Sequence, residues 1–344
     1  MPEKGTDTDM KREKKYRRSK QAALFAGAMA LLAMSAGCGR KTGAGEVHIG
    51  YFNNITHAQA LYMKAQGMLE DAFGTQARVQ WTAFHAGPAE VEAMFAGDID
   101  IGYIGPIPAI TANVRSDGDI QILSGAAMAG AQLMRAADAD IETVADLDGK
   151  TVAVPQIGNT QHLCLLQLLS DYGLQTVEEG GTVKVTAVEN ADVQNMMDQG
   201  GIDAALVPEP WGTLLAENGA QTVLDYDEVY AGGDYPVAVV AVRKDFLEEE
   251  PELVNTFLQM HEEATQTIRK DTAAAAAVMD QELADATGSS LGQPVLERAF
   301  EKIILSTEVS PNALDDFARI SLEQGFIEET YEKLFAKRQD DSAG

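Results

Sequence analysis

The chain has 344 residues, 45% of them hydrophobic and 23% charged, the composition of a folded protein long enough for two lobes of ordinary domain size. It carries 26 basic and 53 acidic side chains, a net charge of −27. Residues 1–37 hold eight of the basic and four of the acidic groups, so the remainder has 18 against 49, or −31, a surface that repels nucleic acid and anionic lipid.

Residues 1–37 have the three parts of a secretory signal peptide. A basic run from Lys11 to Lys20 precedes an apolar stretch from Ala22 to Met34, and Ser35-Ala36-Gly37 precede Cys38. The apolar stretch is shorter than the ~20 residues a stable span needs, which weighs against the alternative of an uncleaved anchor helix. Small residues directly before a cysteine resemble the lipobox of bacterial lipoproteins, so Cys38 is the expected lipidation site and 38–46 a flexible tether. The only other cysteine is Cys164, so a lipidated Cys38 leaves no internal disulfide.

Val47–Phe52 reads as a first strand. A helix is expected from Thr56 or His57 to about Phe73, with Thr56 and Gln59 at capping-box spacing. Val79–Phe84 is a second strand. Val91, Met94 and Phe95 share a helical face, Pro88 suits the first turn, and Gly97-Asp98 ends that helix. Ile99–Ile104 is a third strand by alternation. The loops His85-Ala86-Gly87 and Gly105-Pro106-Ile107 stand where a strand hands the chain to a helix. In an open α/β sheet such junctions gather at the carboxyl ends of the strands, where ligands bind. Glycine there admits close backbone approach, and free helix amides favour an anion.

Ile120–Ala127 is a fourth strand, and Gly125–Gly130 a first crossing between lobes. Thr151–Val154 is a strand, 155–159 a loop, and a helix from Thr160 turns Leu163, Leu166 and Leu169 inward with Cys164 among them. Val183–Val188 is a strand, Asp192–Asp198 a short helix, and Ile202–Val207 a strand that reaches Pro208-Glu209-Pro210-Trp211. Val237–Val242 follows Gly232-Gly233, read as the return crossing. From Pro251 the chain is expected to be helical, over 252–270, 272–285, 294–304, 312–324 and 327–337, with a frayed end from Arg338. Residues 94–108 and 197–211 repeat one theme, a helix end, a glycine turn, an Ile-Asp strand start and a proline loop. The echo suggests an α/β fold of two similar lobes facing across a cleft, each a mostly parallel sheet flanked by helices. Lobe 1 would be 47–128 with 234–344, carrying the C-terminal helices, and lobe 2 would be 129–233.

Gly50-Tyr51-Phe52-Asn53-Asn54-Ile55-Thr56-His57-Ala58, His85-Ala86-Gly87-Pro88, Asp-Leu-Asp-Gly-Lys at 146–150, Gly158-Asn159-Thr160-Gln161 and Glu209-Pro210-Trp211 occur in this order. Together they resemble the solute-binding lipoproteins of ABC importers for aliphatic sulfonates, taurine and nitrate. The resemblance implies a two-lobe periplasmic-binding-protein-like fold of type II, a small-molecule solute, and a membrane permease with its ATPase as partners. It also implies a monomer on the extracytoplasmic side, tied to the membrane through lipid on Cys38. Carried over by motif, the solute would meet Asn54, Thr56 and His57, then His85, Ala86 and Gly87, then Gly105, Pro106 and Ile107. Asn159, Thr160 and Gln161 would face them, with Glu209 and Trp211 from the last pocket loop. His85 and His162 depart from the family's usual Asn and acidic residue, which leaves the solute open.

Several of these residues have a structural reading beside the functional one. Thr56 and Asn159 serve equally as helix caps, and His57 as a surface residue. Glu209 either meets the ammonium of an aminosulfonate or anchors its loop, and Trp211 either walls the pocket or fills the core. His162 is expected to face away, and Asp98, Asp100 and Asp203 to brace turns. If His57 or His85 must be protonated to hold an anion, affinity falls as pH rises through about 6.5. No nucleophile elbow, metal-ligand spacing or phosphate loop is present, so no catalytic residue, metal or cofactor is expected. The alternatives are a binder of a neutral thiamin-pyrimidine-like heterocycle, an enzyme sharing the fold, and a sensor.

Overall fold

The computed structural model describes residues 45–337. The expected signal peptide, Cys38, nearly all of the tether and the polar C-terminal end lie outside them. The first sheet has the order β11-β4-β10-β3-β1-β2 and the second β7-β6-β8-β5-β9. The first is built from β1 Gly45–Phe52, β2 Ala77–Phe84, β3 Ile101–Ile104, β4 Ile120–Ala129, β10 Pro236–Arg243 and β11 Ile303–Leu305. The second is built from β5 Ala131–Arg135, β6 Thr151–Val154, β7 Lys184–Ala187, β8 Ala204–Pro208 and β9 Gln221–Leu224.

Without β11 the sheets share one plan, β2-β1-β3-β10-β4 matching β7-β6-β8-β5-β9. β1 pairs parallel with β3 and β6 with β8, whereas β10 and β5 run antiparallel to both their neighbours. The sheets are therefore mixed rather than mostly parallel. β5 and β10 enter straight from the other sheet, after β4 and β9, and so run against their new neighbours. At the first crossing Gly130 has φ +75°, and a Cβ there would lie 2.3 Å from a methyl of Ile303. Only glycine fits that bend.

The Ile-Asp echo has a structural cause. Asp100 N–H donates to His48 O and its carboxylate accepts from His48 N–H, both at 2.9 Å. Asp203 N–H donates to Thr151 O at 2.9 Å, and its carboxylate accepts from Thr151 N–H at 2.7 Å. Each aspartate thus fastens the start of its strand to the neighbouring parallel strand, the bracing role expected of both.

Four expectations are corrected. The helix after β1 is broken into a 3-10 turn Ile55–His57 and helices Ala58–Gln66 and Met68–Phe73, because Gly67 takes φ +62° between them. No capping box forms there. Gln59 is buried and donates to Ala126 O and Thr265 Oγ1, while the Thr56 hydroxyl donates to Asn54 Oδ1. The helix expected over 294–304 ends at Phe300, and Ile303–Leu305 becomes β11 on the edge of β4. Residues 327–337 form no helix; their backbone is irregular, with bends and one bridge from Phe335 to Ile122. Ile122 N–H donates to Leu334 O at 2.7 Å and Ala336 N–H to Ile122 O at 2.9 Å, so this segment covers the rest of the same edge. Open strand edges need such partners.

Helices Pro251–Lys270 and Thr272–Thr287 pack on Ala58–Gln66, as expected for the first lobe. Helix Gln293–Phe300 instead packs on Trp211–Glu217 of the second lobe as well.

Beneath the first sheet, Glu90 is fully buried with both carboxyl oxygens unpartnered, and burial raises its pKa well above the usual value. An unpartnered buried polar group costs about 1–3 kcal/mol. Glu90→Met, apolar and of similar length, is therefore expected to raise the urea midpoint without changing the slope. A lower midpoint at pH 7.5 would refute this.

Candidate functional site

Three helices begin at one cleft between the sheets, Gly87–Ala96 and Pro106–Arg115 from the first lobe and Thr160–Asp171 from the second. Ala86 and Gly105, at the starts of the first two, supply no side-chain cap. Pro88, Pro106 and Pro108 carry no N–H, so the amides of Gly87, Ala89 and Ile107 are the first-turn donors left for something in the cleft to accept from, with the positive end of each helix dipole behind them. In the third, Asn159 Oδ1 accepts from His162 N–H at 2.8 Å, so capping takes one amide and leaves its neighbours.

The cleft is lined by Asn54, Thr56, His57, His85, Ala86 and Gly87, by Gly105, and across from them by Asn159, Thr160 and Gln161. These are ten of the fourteen residues the sequence pointed to. Phe52, Pro108, Pro155, Asn190, Pro208 and Val237 complete the wall. The space they enclose is small, about 20 Å³. No Lys, Arg, Asp or Glu is among the lining residues.

His57 is a neutral donor. Its Nδ1 accepts from Phe52 N–H at 3.0 Å, so the ring proton sits on Nε2, and burial pushes its pKa down to about 3. It is fully buried and stacked on Phe52, not on the surface. His85, by contrast, is exposed at the mouth, with Nδ1 3.2 Å from Glu189 Oε2 on the far side. Thr160 Oγ1 is buried with no partner, and a Cβ on Gly105 would lie 2.5 Å from it. Pro88 and Gly158 also approach across the gap. These contacts describe a closed cleft.

The remaining four candidates do not line it. Ile107 and Trp211 are packed into the cores, and Pro106 opens its helix. Glu209 is fully buried, accepting from Thr213 N–H at 3.1 Å and the Thr213 hydroxyl at 2.9 Å, with Lys302 Nζ 3.6 Å away. Desolvation raises its pKa to about 7 against the pull of Lys302. Of its two readings, the anchoring one describes these contacts. His162 likewise faces away from the cleft, accepting from Gly158 N–H and stacked on Phe326. Cys164 is a buried thiol whose pKa is pushed up to about 12.

Pro155, Asn190 and Pro208 end or follow strands β6, β7 and β8, so the carboxyl-end rule, applied to every strand, would have found them. Val237 carries no local signal; it arrives with the return crossing.

A model of the NMT1-like family matches residues 40–281. The chain belongs to the NMT1-like family. Among curated relatives, the taurine-binding periplasmic protein of Escherichia coli (strain K12) is 30% identical over 190 residues, 55% of this chain and 57% of that protein. A putative aliphatic sulfonates-binding protein of the same organism is 29% identical over 177 residues, 51% and 54% of the two chains. The chain thus spans little more than half the length of either. The alkanesulfonate-binding protein SsuA from Xanthomonas axonopodis pv. citri, solved bound to MOPS, superposes with a TM-score of 0.71 at 21% identity, covering 84% of this chain and 96% of that one. That is a likeness of fold, and it gives this NMT1-like chain the two-lobed architecture of periplasmic binding proteins.

Proposed function

We propose that this NMT1-like protein is the extracytoplasmic solute-binding component of an ABC importer and that it captures a small aliphatic sulfonate. The observation that carries this reading is the convergence of three helix N-termini on a small cleft with no charged lining residue. A sulfonate spreads one charge over three oxygens, and helix amides, hydroxyls, carboxamides and the Nε2–H of His57 suit it. Relatives that bind taurine and aliphatic sulfonates support the same class. The lobes would be 47–128 with 234–344, and 129–233, closing on the solute without covalent chemistry and delivering it to a permease and its ATPase. Asn54, Thr56, His57, His85, Gly105, Asn159, Thr160 and Gln161 would hold it.

Lipid on Cys38, which follows the small residues Ser35-Ala36-Gly37, would keep the monomer at the membrane. Among sulfonates the cleft favours one without an ammonium, because no carboxylate lines it and Glu209 is engaged elsewhere. An unpaired buried ammonium is costly. Calorimetric titration is expected to give ethanesulfonate at least a tenfold lower Kd than taurine. Tighter taurine binding would return Glu209 to the site, and binding of a hydroxymethylpyrimidine alone would replace the sulfonate class.

A further inference from the structure

We propose that Lys302 is a positioning residue that ties the two lobes together behind the cleft and so sets solute affinity without touching the solute, an inference that rests on the two-lobe binding reading. Lys302 stands between helix Gln293–Phe300 and β11, at the edge of the first sheet. Its ammonium lies 3.6 Å from Glu209 Oε1 and 3.7 Å from Asp225 Oδ1. Both carboxylates belong to the second lobe, Glu209 directly after β8 and Asp225 directly after β9. Gln132 of β5 donates to that same Asp225 oxygen at 2.7 Å.

The cluster sits at the point where the chain changes sheets. Glu209 N–H donates to Gly130 O at 2.7 Å, and Ile303, next to Lys302, packs a methyl against Gly130. Rotation of one lobe against the other at this crossing changes the distance from Lys302 to the two carboxylates. On the other side of the same loop, Pro208 lines the cleft. Farther out, Arg298 of helix Gln293–Phe300 meets Glu217 of helix Trp211–Glu217 at 2.7 Å. That pair is exposed and contributes little, whereas Glu209 has no exposed side chain and Lys302 only 22%. Removing one partner of such a buried pair leaves the other uncompensated, so the arrangement with all three groups together is the favoured one.

The test uses the full chain with Lys302→Met, Lys302→Arg and Asp225→Asn. Small-angle scattering of the solute-free protein and calorimetry with ethanesulfonate are the two readouts, with Tm measured beside them. Lys302→Met is expected to enlarge the solute-free radius of gyration and weaken ethanesulfonate binding about tenfold, with Lys302→Arg restoring both. Asp225→Asn, a milder change at a half-exposed site, is expected to move both readouts in the same direction and serves if Lys302→Met fails to fold. Scattering and Kd within twofold of wild type, with only Tm lowered, would reduce Lys302 to a structural brace and overturn the proposal. If ethanesulfonate fails to bind the wild type, the sulfonate reading falls while the scattering comparison still decides the role of Lys302.

Discussion

Gly105→Ala is expected to weaken solute binding by about ten- to a hundredfold while leaving Tm nearly unchanged. Gly105 has φ −65° and ψ 148°, a conformation alanine adopts freely, so the substitution introduces no backbone strain. The new methyl carbon would lie 2.5 Å from Thr160 Oγ1, which belongs to the opposite lobe. Either the lobes stop short of closure or the Thr160 hydroxyl turns out of its place in the cleft. Both outcomes act on the closed form, and about 1.4 kcal/mol lost there is tenfold in Kd. The double variant Gly105→Ala/Thr160→Ala separates closure from local damage. Thr160 Cβ is 3.5 Å from the added methyl, an ordinary contact, so the double variant should bind like Thr160→Ala alone. Additive losses in the cycle would show that the two residues do not meet when solute is bound.

The second large effect is on acid stability. His57 is fully buried, and its pKa falls from 6.5 to about 3 on folding. A folded pKa below the unfolded value adds stability above pH 6.5, and that stability is lost as pH falls toward 3. Between pH 7.5 and 5 the loss from His57 is about 2 kcal/mol, one proton taken up by the unfolded chain alone. His162, lowered to about 4, acts in the same direction. Glu209, raised to about 7, acts in the opposite one, its contribution being lost as pH rises through 7. The difference between wild type and His57→Gln isolates the one term. That difference should shrink by about 2 kcal/mol from pH 7.5 to 5 in chemical denaturation. A constant difference would mean that His57 titrates normally in the folded protein. For the same reason His57 remains an uncharged donor across pH 5–8. In the proposed site its share of solute affinity is therefore expected to be flat there, in place of the fall through 6.5 that a protonated ring would give, as titrations at pH 5.5 and 8 would show.

The sequence by itself determined the elements whose causes are local. Asn159 caps the helix Thr160–Asp171, prolines open Gly87–Ala96 and Pro106–Arg115, and Ile-Asp starts β3 and β8 with the same pair of bonds. Most of the cleft followed, because loops at the carboxyl ends of strands must gather once the strands share a sheet. Helix Trp211–Glu217 and strands β5 and β9 carried too weak a pattern to be foreseen. The tertiary structure alone decided matters that depend on partners distant in the chain. Residues 327–337 have a helical period, yet the open edge of β4 takes them as an irregular strap. Glu209 sits in a pocket motif, yet Lys302, nearly a hundred positions later, draws it to the crossing. His57 reads as a titrating donor until burial and the Phe52 amide remove its charge. Capping, turn chemistry and hydrophobic period are written within a few residues of where they act. Desolvation, ion pairing and edge protection are set by groups that only folding brings together.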